Sequence, residues 1–146
     1  MGDGEFQKFC DTFLFQKARY GLIHGLGMKA GTTKTTKGNP DTYFRRNDGK
    51  YIFVVYTTQQ ASIYSKIQED IEKCFDSSKT GVQCAGIAEI VCCHTSSNLS
   101  AGDDKKLHEL CNQKDIKLTI YGVDEIAQQI YRDYPSLARD FFWNID

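Results

Sequence analysis

No apolar run in the 146-residue chain approaches the roughly 20 residues that a membrane span needs. The opening residues, MGDGEFQKFC, carry neither a basic stretch nor an apolar core, so a secretory signal is not expected. Phe6, where Ser or Thr would be required, argues against myristoylation at Gly2. A G-x-x-x-x-G-K-[ST] phosphate loop is missing, and Gly25-x-Gly27 lacks the third glycine of a dinucleotide-binding turn. Neither an internal repeat nor a low-complexity linker is visible. What these absences leave is a soluble, cytoplasmic domain without a membrane partner. The length fits one domain with a real core, and 12% aromatic residues is too rich for a disordered chain.

Net charge is also scarce, at −1, but it is unevenly spread. Residues 1–60 hold nine Lys/Arg against five Asp/Glu, an excess of +4, whereas residues 61–146 hold nine against fourteen, a deficit of −5. Much of the basic excess lies between Lys29 and Lys50, where Lys34, Lys37, Arg45 and Arg46 make a stretch able to contact phosphate. The same stretch also reads as a solvated loop and hairpin.

Cysteine is plentiful but unpatterned. Cys10, Cys74, Cys84, Cys92, Cys93 and Cys111 show no regular spacing, so they are expected to be free thiols used as small apolar residues. A zinc site would have to gather Cys92, Cys93, His94, His108 and Cys111. Adjacent strand residues point to opposite faces, and no C-x₂-C pair is present, so zinc is disfavoured. His24, His94 and His108 form no evident general-base set.

The periodicity of apolar residues predicts a helix over 5–20, from Phe6, Phe9, Cys10, Phe13 and Leu14. Residues 22–31 are apolar but broken by glycine, an irregular strand, and 32–40 have loop composition. The strongest local signal is a hairpin: Asp41-Thr-Tyr-Phe-Arg and Lys50-Tyr-Ile-Phe-Val-Val-Tyr-Thr-Thr, joined by Arg46-Asn-Asp-Gly49, with Asp48-Gly49 the turn signal. A helix over 61–76 carries Ile63, Ile67, Ile71 and Cys74 on one stripe. A buried strand over 86–94, a helix over 102–113, a strand over 116–121 and a helix from Asp124 to Tyr134 follow, with a short helical tail after Pro135. Trp143 and Phe141-Phe142 are expected to seal the core or to meet a further domain. Strands separated by helices imply parallel crossovers, so the expected fold is a mixed α/β sandwich with an antiparallel hairpin.

The hairpin is also where chemistry concentrates. Pro40-Asp41 opens its first strand, and an acid there with another on the neighbouring strand would hold Mg²⁺, a hard cation that wants oxygen ligands. A nearby lysine then stabilises or deprotonates an attacking water. Pro-Asp before a strand is equally ordinary turn chemistry.

The block Gly38-Asn-Pro-Asp41-Thr-Tyr-Phe, with Gly49-Lys-Tyr-Ile-Phe-Val-Val-Tyr-Thr-Thr-Gln59, resembles the core of the PD-(D/E)xK nucleases. More narrowly it is similar to the nuclease-type domains at the N-termini of bacterial STAND or NLR-like antiviral NTPases. The Lys66-Ile-Gln-Glu-Asp-Ile-Glu-Lys-Cys run and the ending Tyr134-Pro-Ser-Leu-Ala-Arg-Asp share that look. The resemblance implies a restriction-endonuclease-like αβββαβ sandwich, a mixed central sheet flanked by helices, over residues 1–146 as a single domain of a larger protein. It implies Mg²⁺- or Mn²⁺-dependent cleavage of double-stranded DNA, by an anti-phage effector that works as a homo-oligomer with its own NTPase and sensor domains.

Carried over by position, Asp41 matches the metal-binding aspartate, and Glu5 matches an acid that many members place on the first helix. The (D/E)xK half falls on Val55 and Thr57, so the second metal carboxylate and the motif lysine are both missing. Strand alternation puts Val55, Thr57 and Gln59 on one face, where Thr57 and Gln59 are polar remnants. Lys66, on the following helix, is the candidate for a relocated lysine, and also reads as a solvent-facing helix residue. The basic residues Lys34, Lys37, Arg45 and Arg46 would grip the DNA backbone. Two readings follow: a nuclease weakened or inactivated at Val55, or a non-catalytic nucleic-acid or protein interaction module on the same fold.

Overall fold

A computed structural model describes residues 3–19 and 40–138 of the chain. Its first helix, α1 (Asp3–Arg19), buries Phe6, Phe9, Cys10, Phe13 and Leu14, the stripe that helical spacing puts on one face. The expected irregular strand over 22–31, all but Pro40 of the expected loop over 32–40, His24, Lys34, Lys37 and the aromatic tail lie outside the described residues.

Pro40 lacks the N–H that a sheet ladder uses, and pairing starts just beyond it. Strand β1 (Thr42–Arg45) runs antiparallel to β2 (Tyr51–Thr57), with Thr42 opposite Val54 and Arg45 opposite Tyr51. The turn is one residue longer than Asp48-Gly49 alone. The Gly49 N–H donates to Arg46 O at 3.0 Å and the Arg46 N–H to Lys50 O at 2.8 Å. Gly49 takes φ +87, the left-handed position that closes a three-residue hairpin loop.

Helix α2 (Ile63–Phe75) leads through a short helix α3 (Ser77–Thr80) and a 3₁₀ turn (Cys84–Gly86) to β3 (Ile87–His94). Helix α4 (Ala101–Asn112), β4 (Lys117–Gly122), α5 (Val123–Asp133) and α6 (Pro135–Ala138) complete the described fold. Sequence periodicity missed α3 and the 3₁₀ turn, because neither is long enough to show a period. The four strands lie in chain order, β1-β2-β3-β4, with β2, β3 and β4 parallel.

Strand alternation divides the core into two layers. Ile52, Val54, Val91 and Cys93 pack with α1 and with Ile126 and Ile130 of α5. Phe53, Val55, Ile90 and Cys92 pack with Ile63, Ile67 and Ile71 of α2 and with Leu107 and Cys111 of α4. The protein is therefore a mixed α/β sandwich, with helices on both faces of a mixed sheet. Cys92 and Cys93 face opposite layers, as strand geometry requires. All six cysteines are free, and burial pushes the Cys111 thiol up to about 12, so it stays protonated and serves packing.

Among the described residues, no helix is long and apolar enough to cross a membrane.

Candidate functional site

The carboxyl end of β2 opens into a cleft of about 420 Å³, lined by Phe6 and Gln7 from α1, Asp41, the segment 56–59, and Lys66 from α2. Four residues singled out in the sequence thus share one wall: Asp41, Thr57, Gln59 and Lys66. Each arrives there for a local reason.

Asp41 stands one residue before the Thr42–Val54 pair, which places it across from Val55 on the α2 side of the hairpin. Its Oδ2 accepts the Tyr56 N–H at 2.9 Å, so the carboxylate replaces a backbone ladder bond at the end of β1. Burial raises its pKa, the Tyr56 hydrogen bond opposes that, and the charge on Asp70 raises it further. Thr57 is 7% exposed, and its Oγ1 accepts the Gln59 N–H at 3.1 Å. Gln59 Nε2 donates to Ala61 O at 2.6 Å and to Ser62 O at 3.3 Å. Gln59 is therefore bound into the turn before α2 while it also borders the cleft. That turn is strained: Ser62, the N-cap of α2, sits at φ +53 and makes no side-chain cap.

Lys66 lies one turn into α2, and its Nζ meets Asp70 Oδ1 at 3.1 Å. Asp70 was not singled out in the sequence, yet it is 8% exposed. Burial raises its pKa, and the Lys66 hydrogen bond and charge pull it back. The signal was available: position 70 falls on the Ile63, Ile67, Ile71 and Cys74 stripe, where a charge is out of place. The spacing from Lys66 is also that of an i, i+4 ion pair.

Val55 is 2% exposed and packs with the α2 stripe. Glu5 is exposed on α1 and does not line the cleft; Gln7 is the polar α1 residue that does. Arg45 ends β1 and Arg46 follows it, about 13 and 17 Å from Asp41 by strand rise. There Arg45 lies over the Tyr51 ring, and Arg46 pairs with Asp48 at 2.9 Å.

A divalent ion in this cleft would find one strand carboxylate, a threonine hydroxyl and a glutamine amide among the lining side chains, fewer oxygen ligands than such an ion takes, with the rest left to water and substrate phosphate. Among the described residues, no three His, Cys, Asp or Glu side chains gather into a metal-binding group. On the opposite sheet face, Asp11 of α1 accepts hydrogen bonds from the Tyr56 hydroxyl and, at 3.0 Å, from Thr42 Oγ1. This pins α1 against the strands that carry Asp41. Compared with known proteins, the chain matches no family model, and no curated protein or solved structure shows a significant likeness to it.

Proposed function

We propose that the Asp41 cleft is a weakened, Mg²⁺- or Mn²⁺-dependent site for hydrolysing phosphodiesters of double-stranded DNA, on a restriction-endonuclease-like fold. The observation that carries the reading is the convergence of Asp41, Thr57, Gln59 and Lys66 on one open cleft. A bound divalent ion would neutralise phosphate charge and acidify a water. Asp41 would hold that ion, Lys66 would face the developing negative charge, and the Thr57 and Gln59 oxygens would orient water. The resemblance extends the proposal to an anti-phage effector acting as a homo-oligomer beside NTPase and sensor domains.

Two observations favour the second reading, a non-catalytic interaction module. An apolar side chain faces Asp41, and Lys66 is already neutralised by Asp70. Plasmid nicking in Mg²⁺ and Mn²⁺ separates them, with the chain fused to an oligomerising tag so that clustering is not limiting. Restored cleavage by Val55→Glu, abolished by adding Asp41→Ala, supports the nuclease. If no version cuts DNA or RNA and none binds metal, the interaction module replaces it.

A further inference from the structure

Helix α2 carries two ion pairs at the same spacing, and they differ in kind. Glu69 and Lys73 meet at 3.0 Å on the outer face, with the Glu69 side chain 61% exposed. Acid before lysine is the order that supports a helix by itself, so this pair is ordinary surface chemistry. Lys66 and Asp70 meet at 3.1 Å in the reverse, weaker order. Lys66 also stands in the first turn of α2, where a cation opposes the positive end of the helix. Asp70 shares the apolar stripe with Ile67, Ile71 and Cys74, and burying a charge there is costly. Neither helix stability nor packing accounts for this pair.

The place it gives Lys66 does. A lysine side chain has a long, flexible stem, and a free one samples many positions. Asp70 is fixed by the packed stripe and offers a single anchored acceptor. The side chain that it restrains lines the Asp41 cleft. Burial raises the pKa of both Asp41 and Asp70, and the Lys66 charge opposes that in each, so the ammonium acts on both acids. Asp70 Oδ1 takes one of the three ammonium donors. Pairing therefore cancels the Lys66 charge at long range and leaves two N–H groups for a phosphate oxygen at close range.

We propose that Asp70 is a positioning residue of the Asp41 cleft, which holds the Lys66 ammonium at the wall for contact with a phosphodiester. This rests on the reading of the cleft as a phosphodiester-cleaving site.

The test uses the Val55→Glu chain, which that reading requires to nick plasmid DNA in Mn²⁺. Adding Asp70→Leu should lower kcat at least about tenfold, the order of loss expected for a displaced reacting group. Affinity for duplex DNA in Ca²⁺ should hold or tighten, because a negative charge is removed. In a chain that already carries Lys66→Ala, Asp70→Leu should change kcat no further. An apolar residue suits the stripe, so urea melts should show no loss of stability. Asp70→Asn, whose amide oxygen can still accept from Lys66, should keep more of kcat than Asp70→Leu. Glu69→Gln should leave cutting unchanged. Apart from cutting, ¹⁵N-lysine spectra of the unmodified chain should show a slowly exchanging Lys66 ammonium, lost in Asp70→Leu. If Val55→Glu cuts and Asp70→Leu leaves kcat or the ammonium signal unchanged, or slows cutting equally without Lys66, the positioning role falls and the nuclease reading stands. If Val55→Glu never cuts, the nuclease reading falls and the positioning role falls with it.

Discussion

Asp41 and Asp70 both stand above the ordinary carboxylate range, with burial the first cause in each. A carboxylate whose folded pKa is raised holds its proton more tightly in the folded chain than in the unfolded one. Ionising it therefore costs stability as pH rises from the ordinary value through the raised one. Asp41→Asn should accordingly raise stability at neutral pH and change it little below the ordinary aspartate range. Its amide oxygen can still accept the Tyr56 N–H. Urea melts at pH 3.5 and pH 7 check this, and a neutral-pH loss would show that Asp41 is stabilised by its charge. Lys66→Ala acts the other way, because it strips the partner from the buried Asp70 charge. We expect a cost of about 1–3 kcal/mol at neutral pH that shrinks in acid as Asp70 protonates. Val55→Glu puts a third carboxylate beside these two, at a position 2% exposed. Without metal it should cost about 2–4 kcal/mol, and millimolar Mn²⁺ should return part of that if the new carboxylate reaches a metal beside Asp41. A melting temperature unmoved by Mn²⁺ would sink that expectation. Strand alternation put Thr57 and Gln59 on one face, while Asp41 and Lys66 were joined to them only through the family resemblance; the structure lines one cleft with all four. Asp70 was not legible, because the run Glu69-Asp70-Ile71-Glu72 reads as a solvated face until the apolar stripe is counted through it.

At the scale of elements, the fold rests on how α1 and α2 are fixed to the hairpin. Helix α1 carries a greasy stripe and one polar clamp, in which Asp11 accepts from Thr42 and from the Tyr56 hydroxyl. Burial and the Asp11 charge both raise the Tyr56 pKa, so the phenol stays a donor at every accessible pH. Tyr56→Phe removes that donor and leaves Asp11 with less compensation, a loss of about 1.5–3 kcal/mol for a charge-assisted bond. Denaturant titration reads it directly, and a change below about 0.5 kcal/mol would mean that α1 docks by apolar contact alone. Helix α2 begins from strain instead, at Ser62 with φ +53. Glycine adopts that conformation freely, and the gain is offset by a more flexible unfolded chain. The elements themselves were readable because most are long enough to show a period of two or nearly four residues. The hairpin loop fell within the expected Arg46–Gly49 connection, with Arg46 itself drawn into the pairing by its bond to Lys50. The α3 segment and the 3₁₀ turn were illegible for the same reason that they are short: one turn has no periodicity.

Across the whole molecule, the sum of charges is nearly zero while the basic excess belongs to the half that contains the hairpin. The sequence places Lys34, Lys37, Arg45 and Arg46 in one stretch, and chain proximity alone suggests a common DNA grip. Of the four, the described residues place the two arginines. Arg46 is engaged by Asp48, with its side chain 18% exposed, and Arg45 lies over Tyr51 at the end of β1 away from Asp41. Lys34 and Lys37 lie outside the described residues. The engagement of the two arginines has a measurable consequence if the protein binds duplex DNA. Each neutralised phosphate contributes about −0.9 to the slope of log affinity against log salt. A grip by all four cations predicts a slope near about −3.6, and a grip by the two lysines predicts about −1.8. We expect the shallower value, because freeing Arg46 for phosphate would first break its pair with Asp48, and Arg45 projects at the wrong end of the strand. Fluorescence anisotropy over a salt series should show that Lys34→Ala with Lys37→Ala removes most of the slope, and that Arg46→Ala barely alters it. A slope that falls by about 1 on Arg46→Ala would show that the hairpin tip itself contacts the backbone. The DNA would then run along the length of β1, from the turn to Asp41, and the cleft would be approached from the hairpin side.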